Sequence, residues 1–156
     1  MCAQTTAGMS WVSARVFVNA TGVDTAWTNI SGQGASVAVG GGERATGEQN
    51  TMDGDIPIVK SGKRSGRELT CRFVYTEEAA EAFEVVRAIY EASGGVMYVQ
   101  YQPQPLGVWF KTGKGICTNL MLPGGDAGSG DVIMSEFVVK CAEIAKAAAS
   151  DAGASA

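Results

Sequence analysis

The chain has 156 residues, of which 46% are apolar and 18% charged, with a formal net charge of −4. That length buries a sizeable core without disulfide or metal staples and suggests one domain. The acidic balance argues against a basic nucleic-acid-binding face, and no apolar run is long enough for a membrane-spanning helix.

The start, MCAQTTAGMSW, has neither the basic opening nor the apolar run of a signal peptide, so the chain reads as cytoplasmic when made. Residues 11–19, WVSARVFVN, then alternate. Val12, Ala14, Val16 and Val18 share one face, and Trp11, Ser13, Arg15 and Phe17 the other, as in a strand with one buried face. Short strands around 26–30 and 33–39 follow, broken by Ser31-Gly32. Gly40-Gly41-Gly42 opens a stretch, residues 40–66, with no regular period. Its second half, MDGDIPIVKSGKRSG, carries both signs of charge, a proline and the aliphatic Ile56, Ile58 and Val59. Such long irregular connections are uncommon in compact domains and are usually functional or disordered.

Period two returns in RELTCRFVYT, residues 67–76, where Leu69, Cys71, Phe73 and Tyr75 share a face. From 77 to 92 the period becomes helical, with Ala79, Ala82, Phe83, Val86, Ile89 and Tyr90 on one stripe. Thr76 is the expected N-cap, Glu77 and Glu78 suit the first turn, and Gly94-Gly95 stops the helix. Strands are expected again at 96–101, 107–112, 115–122 and 132–142, separated by QPQP, TGKG and PGGDAGSGD. Residues 145–156, AKAAASDAGASA, lack an apolar stripe and read as a frayed tail. The expected class is mainly β, an α+β pattern: an antiparallel β-sandwich or barrel with one flanking α-helix and a long extended loop. Residues 1–10 form an N-terminal arm and 11–144 the body.

Catalytic parts are missing. Without histidine the chain has no usual general base, triad partner or commonest metal ligand. Cys2, Cys71, Cys117 and Cys141 are scattered, form no zinc spacing and read as reduced, buried thiols. The phosphate-loop pattern fails, because Pro57 and Val108 stand where its first glycine belongs. Asp53, Asp55 and Glu48 miss calcium-loop spacing, and Asp53-Gly54 suits a turn better. Trp11, Trp27 and Trp109 lie in or beside strands and read as core or subunit contacts before a sugar platform. The chain is therefore expected to have no catalytic residues, cofactor or metal.

The order of these pieces resembles the major tail tube proteins of long-tailed bacteriophages, over about residues 12–144. DGDIPIV, the junction VYTEEAAEAFEVVRAIYE and the late GGDAGSGDVIMSEFVVK carry the resemblance. It implies a subunit that forms hexameric rings, stacked into a hollow tube in a phage tail assembled in the bacterial cytoplasm. Genome DNA would pass through the lumen without specific binding, and tape-measure and tail terminator or tip proteins would be partners. No membrane would be involved. In this reading residues 40–66 form an assembly arm. Ile56, Pro57, Ile58 and Val59 would anchor it, while Lys60, Lys63 and Arg64 would pair with acidic groups on a neighbour; Asp53 and Asp55 lie in the same arm. The alternatives are a secretion-system tube protein and a monomeric β-sandwich module that binds carbohydrate or protein.

Overall fold

A computed structural model describes residues 9–147, less 24, 127 and 129. The described elements are β1 (Arg15–Asn19), β2 (Thr28–Asn29), β3 (Gly34–Gly41), β4 (Arg44–Gln49), β5 (Ile58–Arg64) and β6 (Arg67–Val74), followed by α1 (Ala82–Glu91). After the helix come β7 (Val96–Gln102), β8 (Trp109–Thr112), β9 (Gly115–Met121), β10 (Met134–Cys141) and β11 (Ile144–Ala147). Every strand pair is antiparallel. The expected mainly β fold with one flanking helix is what the chain adopts.

Strand β7 ties the two layers together. Its first residues, Val96 and Met97, pair with Ile116 and Gly115 of β9. Its later ones, Tyr98 to Gln102, pair with β1, and Gln100 and Tyr101 also pair with β8. One layer therefore reads β2-β1-β7-β8-β11 and the other β7-β9-β10-β6-β3. Between them lie Val16 and Val18, Leu69, Cys71 and Phe73, Met97 and Val99, and Phe137 and Val139, all buried. Helix α1 closes the core with Ala82, Phe83 and Val86.

Several boundaries move for physical reasons. Residues Trp11–Ser13 form a 3-10 turn and β1 begins only at Arg15. Within β1, Val16 and Val18 enter the core as expected, but Phe17 and Asn19 are buried too. Phe17 meets Trp109 edge to face, with centroids 5.4 Å apart, so β1 is covered on both faces. The helix starts at Ala82 instead of 77. Its N-cap is Glu81, whose carboxylate accepts a hydrogen bond from the Thr76 hydroxyl and makes no capping bond to the backbone. Phe83 packs edge to face on Tyr75 at 4.8 Å, which fixes where the first helical turn must sit. Tyr90, placed on the stripe by periodicity, is 41% exposed. At the far end β11 pairs with β8 through Ala147, so the order continues past the expected body limit at 144. Most of the expected N-terminal arm and the rest of the tail lie outside the described residues.

Candidate assembly interface

Residues 40–66, expected as an irregular loop, are instead the outer half of one long β-ribbon. Strand β3 runs on into β4, and β5 runs on into β6. The inner halves pair in the body, β3 with β6, from Gly34↔Phe73 to Gly41↔Arg67. The outer halves pair only with each other, from Arg44↔Arg64 to Gln49↔Ile58. The junction stays hydrogen-bonded: the Gly42 N–H donates to the Gly66 carbonyl at 2.9 Å, and the Ser65 N–H to the Glu43 carbonyl at 2.8 Å.

Glycine makes this junction possible. Gly41 and Gly42 have φ of 73° and 74°, the left-handed region that side chains disfavour. Arg67 braces the bend by donating from its guanidinium to the Gly41 carbonyl at 2.9 Å. Beyond that point every residue of β4 and β5 is exposed, so the ribbon projects from the body with neither face covered.

The expected anchor residues all lie on this projection. Asp53, Asp55, Ile56 and Pro57 form its tip. There the Gly54 N–H closes a turn onto the Thr51 carbonyl, in accord with the Asp53-Gly54 signal. Ile58, Val59, Lys60, Lys63 and Arg64 occupy β5. Ile58 and Val59 point to opposite faces and are 49% and 54% exposed, so apolar surface is offered on both. Ile56 and Met52 at the tip are more exposed still. Among the described residues Lys60, Lys63 and Arg64 make no ion pair; the pairs seen are Arg72–Glu136, Arg87–Glu84, Arg87–Glu91 and Lys140–Glu68. Arg44 and Arg64 stand directly opposite each other, a like-charge arrangement that is unfavourable without an anion nearby.

A second surface was not singled out from sequence. At the other end of β6 and β10, Met121, Val132 and Ile133 line an open groove of about 830 Å3, with Asp126 and Asp131 on its wall. Met121, Val132 and Ile133 were expected in strands, and the aspartates in the glycine-rich breaker between them, with no surface assigned to the group. Clustered apolar residues flanking that connection were the available signal.

Burial pushes the Cys71 thiol up to about 12 and the Cys117 thiol up to about 11, so neither is a thiolate nucleophile near neutrality. Cys71, Cys117 and Cys141 are free and buried, as expected; Cys2 lies outside the described residues. Trp109 is 4% exposed against Phe17, which removes it as a sugar platform. Among the described residues no three or more Cys, Asp or Glu side chains group as a metal site, and no helix is long and apolar enough to cross a membrane.

No protein-family model matches this sequence. No curated protein matches it either. Solved structures do resemble it. A chain of the six-fold symmetrised baseplate of the anti-feeding prophage superposes with a TM-score of 0.65 at 8% identity, over 95% of this chain and 99% of that one. A chain of the PVC sheath-tube complex, an extracellular contractile injection system in its extended state, gives 0.63 at 15% identity, over 92% and 93%. A chain from the tail of an empty GTA particle, refined with helical and C6 symmetry, gives 0.62 at 12% identity, over 86% and 95%. At these identities the likeness is one of fold, and it spans nearly the whole chain.

Proposed function

We propose that this chain is a structural tail tube subunit that assembles into rings, stacked into a hollow tube. The observation that carries the reading is the uncovered ribbon. A lone two-stranded hairpin is at best marginally stable in water, yet this one presents Met52, Ile56, Ile58 and Val59 to solvent. Such a segment makes sense when a neighbouring copy covers it. Strand β3 adds a second unsatisfied surface: its sequence GASVAVGG is an edge with no charge or proline to prevent pairing with another strand. One surface would then serve within a ring and the other between rings, a combination that builds a filament of rings.

The symmetry of the similar assemblies supports a six-fold ring. The sequence resemblance points to long-tailed phages and the similar structures include contractile injection systems. The reading carried forward is therefore the tube subunit common to both, located in a tail particle. Terminator, tip and tape-measure proteins are its partners, and genome DNA is its cargo in the phage setting. The net charge of −4 suits a conduit, because a strongly basic lumen would hold phosphates. Enzyme activity forms no part of this function.

Negative-stain microscopy of the purified protein over a range of concentrations tests the proposal. Rings and tubes are the expected result. Monodisperse single subunits at high concentration would overturn it.

A further inference from the structure

The hydrophobic core is open at one end. Val39 of β3 stands opposite buried Leu69 and so faces inward, yet it is 40% exposed. Between it and the other layer lies a cavity of about 210 Å3, lined by Val39, Arg67, Tyr101, Phe110 and Ile144. Strands β3, β6, β7, β8 and β11 each supply one of these residues, so both layers build the opening. The Tyr101 and Phe110 rings stack with centroids 5.3 Å apart, and Val39 and Ile144 add aliphatic surface.

The charge at this opening is all of one sign. Arg67 donates to the Gly41 carbonyl at 2.9 Å, which occupies one of the five N–H donors of its guanidinium. No carboxylate lines the cavity, and Arg67 takes part in none of the ion pairs seen among the described residues. The adjacent Glu68 turns instead to Lys140, at 3.4 Å. Lys146 is exposed and stands directly opposite Phe110, so a second cation lies at the rim. Burial pushes the Tyr101 phenol above its ordinary value and the Arg67 charge pulls it back, so the hydroxyl keeps its proton near neutrality.

We propose that this opening binds a small amphipathic carboxylate, carrying one ring or a short acyl chain. The apolar part enters between Val39, Phe110 and Ile144. The carboxylate meets the free donors of Arg67, with Lys146 and the Tyr101 hydroxyl beside it. Size sets the class: the volume lies below the roughly 300–1,000 Å3 of sites for drug-sized ligands, so a long lipid chain does not fit. Occupancy also reaches the arm. The guanidinium that takes the carboxylate is the one that braces the bend at Gly41, so the bound anion holds that brace in place. The site does not depend on the tube function.

Titration of the full chain as dilute subunits with 3-phenylpropionate tests the site, read by NMR of labelled valine and isoleucine methyl groups. The acid should shift the Val39 and Ile144 signals saturably, with a Kd of about a millimolar or tighter. Its neutral amide should bind about tenfold more weakly, and 2-phenylethylamine should produce no saturable shift. Val39→Phe fills the cavity and should abolish the response at Ile144. Arg67→Met should reduce the acid to the affinity of the amide, but it also removes the brace at Gly41. Lys146→Gln leaves that brace alone and should weaken the acid several-fold without changing the amide. Bound acid should slow hydrogen exchange at the Gly42 and Ser65 amides, and unchanged exchange would overturn the link to the arm. No saturable shift, equal affinity for acid, amide and amine, or an unaltered response in Val39→Phe would overturn the site itself. None of these results bears on the tube function, which microscopy tests separately.

Discussion

Gly41 and Gly66 face each other so closely that a Cβ on Gly41 would sit 2.3 Å from the Gly66 carbonyl oxygen. This contact marks the place where the ribbon leaves the body, and Gly41 also has a φ of 73°. Gly41→Ala therefore meets both a backbone clash and a disfavoured conformation. It should lower stability by about 1–3 kcal/mol, with an added penalty on tube growth because the arm is redirected. Urea denaturation measures the first effect and microscopy the second. Unchanged stability would mean that the junction relaxes freely.

The two junction hydrogen bonds show where the arm can be removed. Residues 43–65 pair among themselves, so replacing them by a two-residue Asn-Gly turn leaves the β3–β6 pairing intact. The shortened chain should keep its fold, with a melting temperature close to that of the full chain, and should form no tubes. A chain that fails to fold would show that the arm contributes to the core; one that still builds tubes would remove the arm from assembly.

The arm also shows why parts of this fold were legible in the sequence and others were not. Periodicity records burial. Leu69, Cys71 and Phe73 alternate because one face of β6 meets the core, and that strand was read correctly. Strands β4 and β5 bury neither face, so nothing constrained their residues to alternate and the segment looked irregular. Phe17 posed the opposite problem: both faces of β1 are covered, and the apparent solvent face was a second packing surface against Trp109. Helix onset failed because the Thr76 capping signal is local, whereas the start at Ala82 is set by Phe83 reaching Tyr75. The candidate interface residues were named from the resemblance and from aliphatic residues within an aperiodic stretch. The groove was missed because its lining is assembled from β6, β9 and the approach to β10, which no contiguous stretch displays.

Buried thiols give a pH dependence with a definite sign. Burial raises Cys71 to about 12 and Cys117 to about 11 from the ordinary 9.0. Each holds its proton more tightly when folded, so its contribution to stability is complete below the unfolded value and is lost as pH rises through the folded one. Resistance to urea should therefore decline from about pH 9 toward pH 11, more steeply than in a Cys71→Ala/Cys117→Ala protein. At pH 8 a thiol reagent should label neither residue until denaturant is added. Rapid labelling of the native protein would contradict the burial on which the slope depends.

Gln100 offers the opposite kind of test, because it is a part of the body that ought to be improvable. It lies in β7 opposite Phe17 of β1 and is fully buried, and neither its Oε1 nor its Nε2 has a hydrogen-bond partner among the described residues. An amide removed from water without replacement bonds costs roughly 1–3 kcal/mol. A methionine of similar length and flexibility avoids that cost and keeps the volume filled. Gln100→Met should therefore raise stability by about 1–2 kcal/mol, read as a higher urea midpoint at unchanged slope. The sign of the stability change separates two explanations for so costly a residue. If the variant is more stable and assembles normally, the amide is a tolerated defect of the isolated fold. If stability falls instead, an enclosed water holds the amide, and Gln100 belongs to a polar network that the body needs.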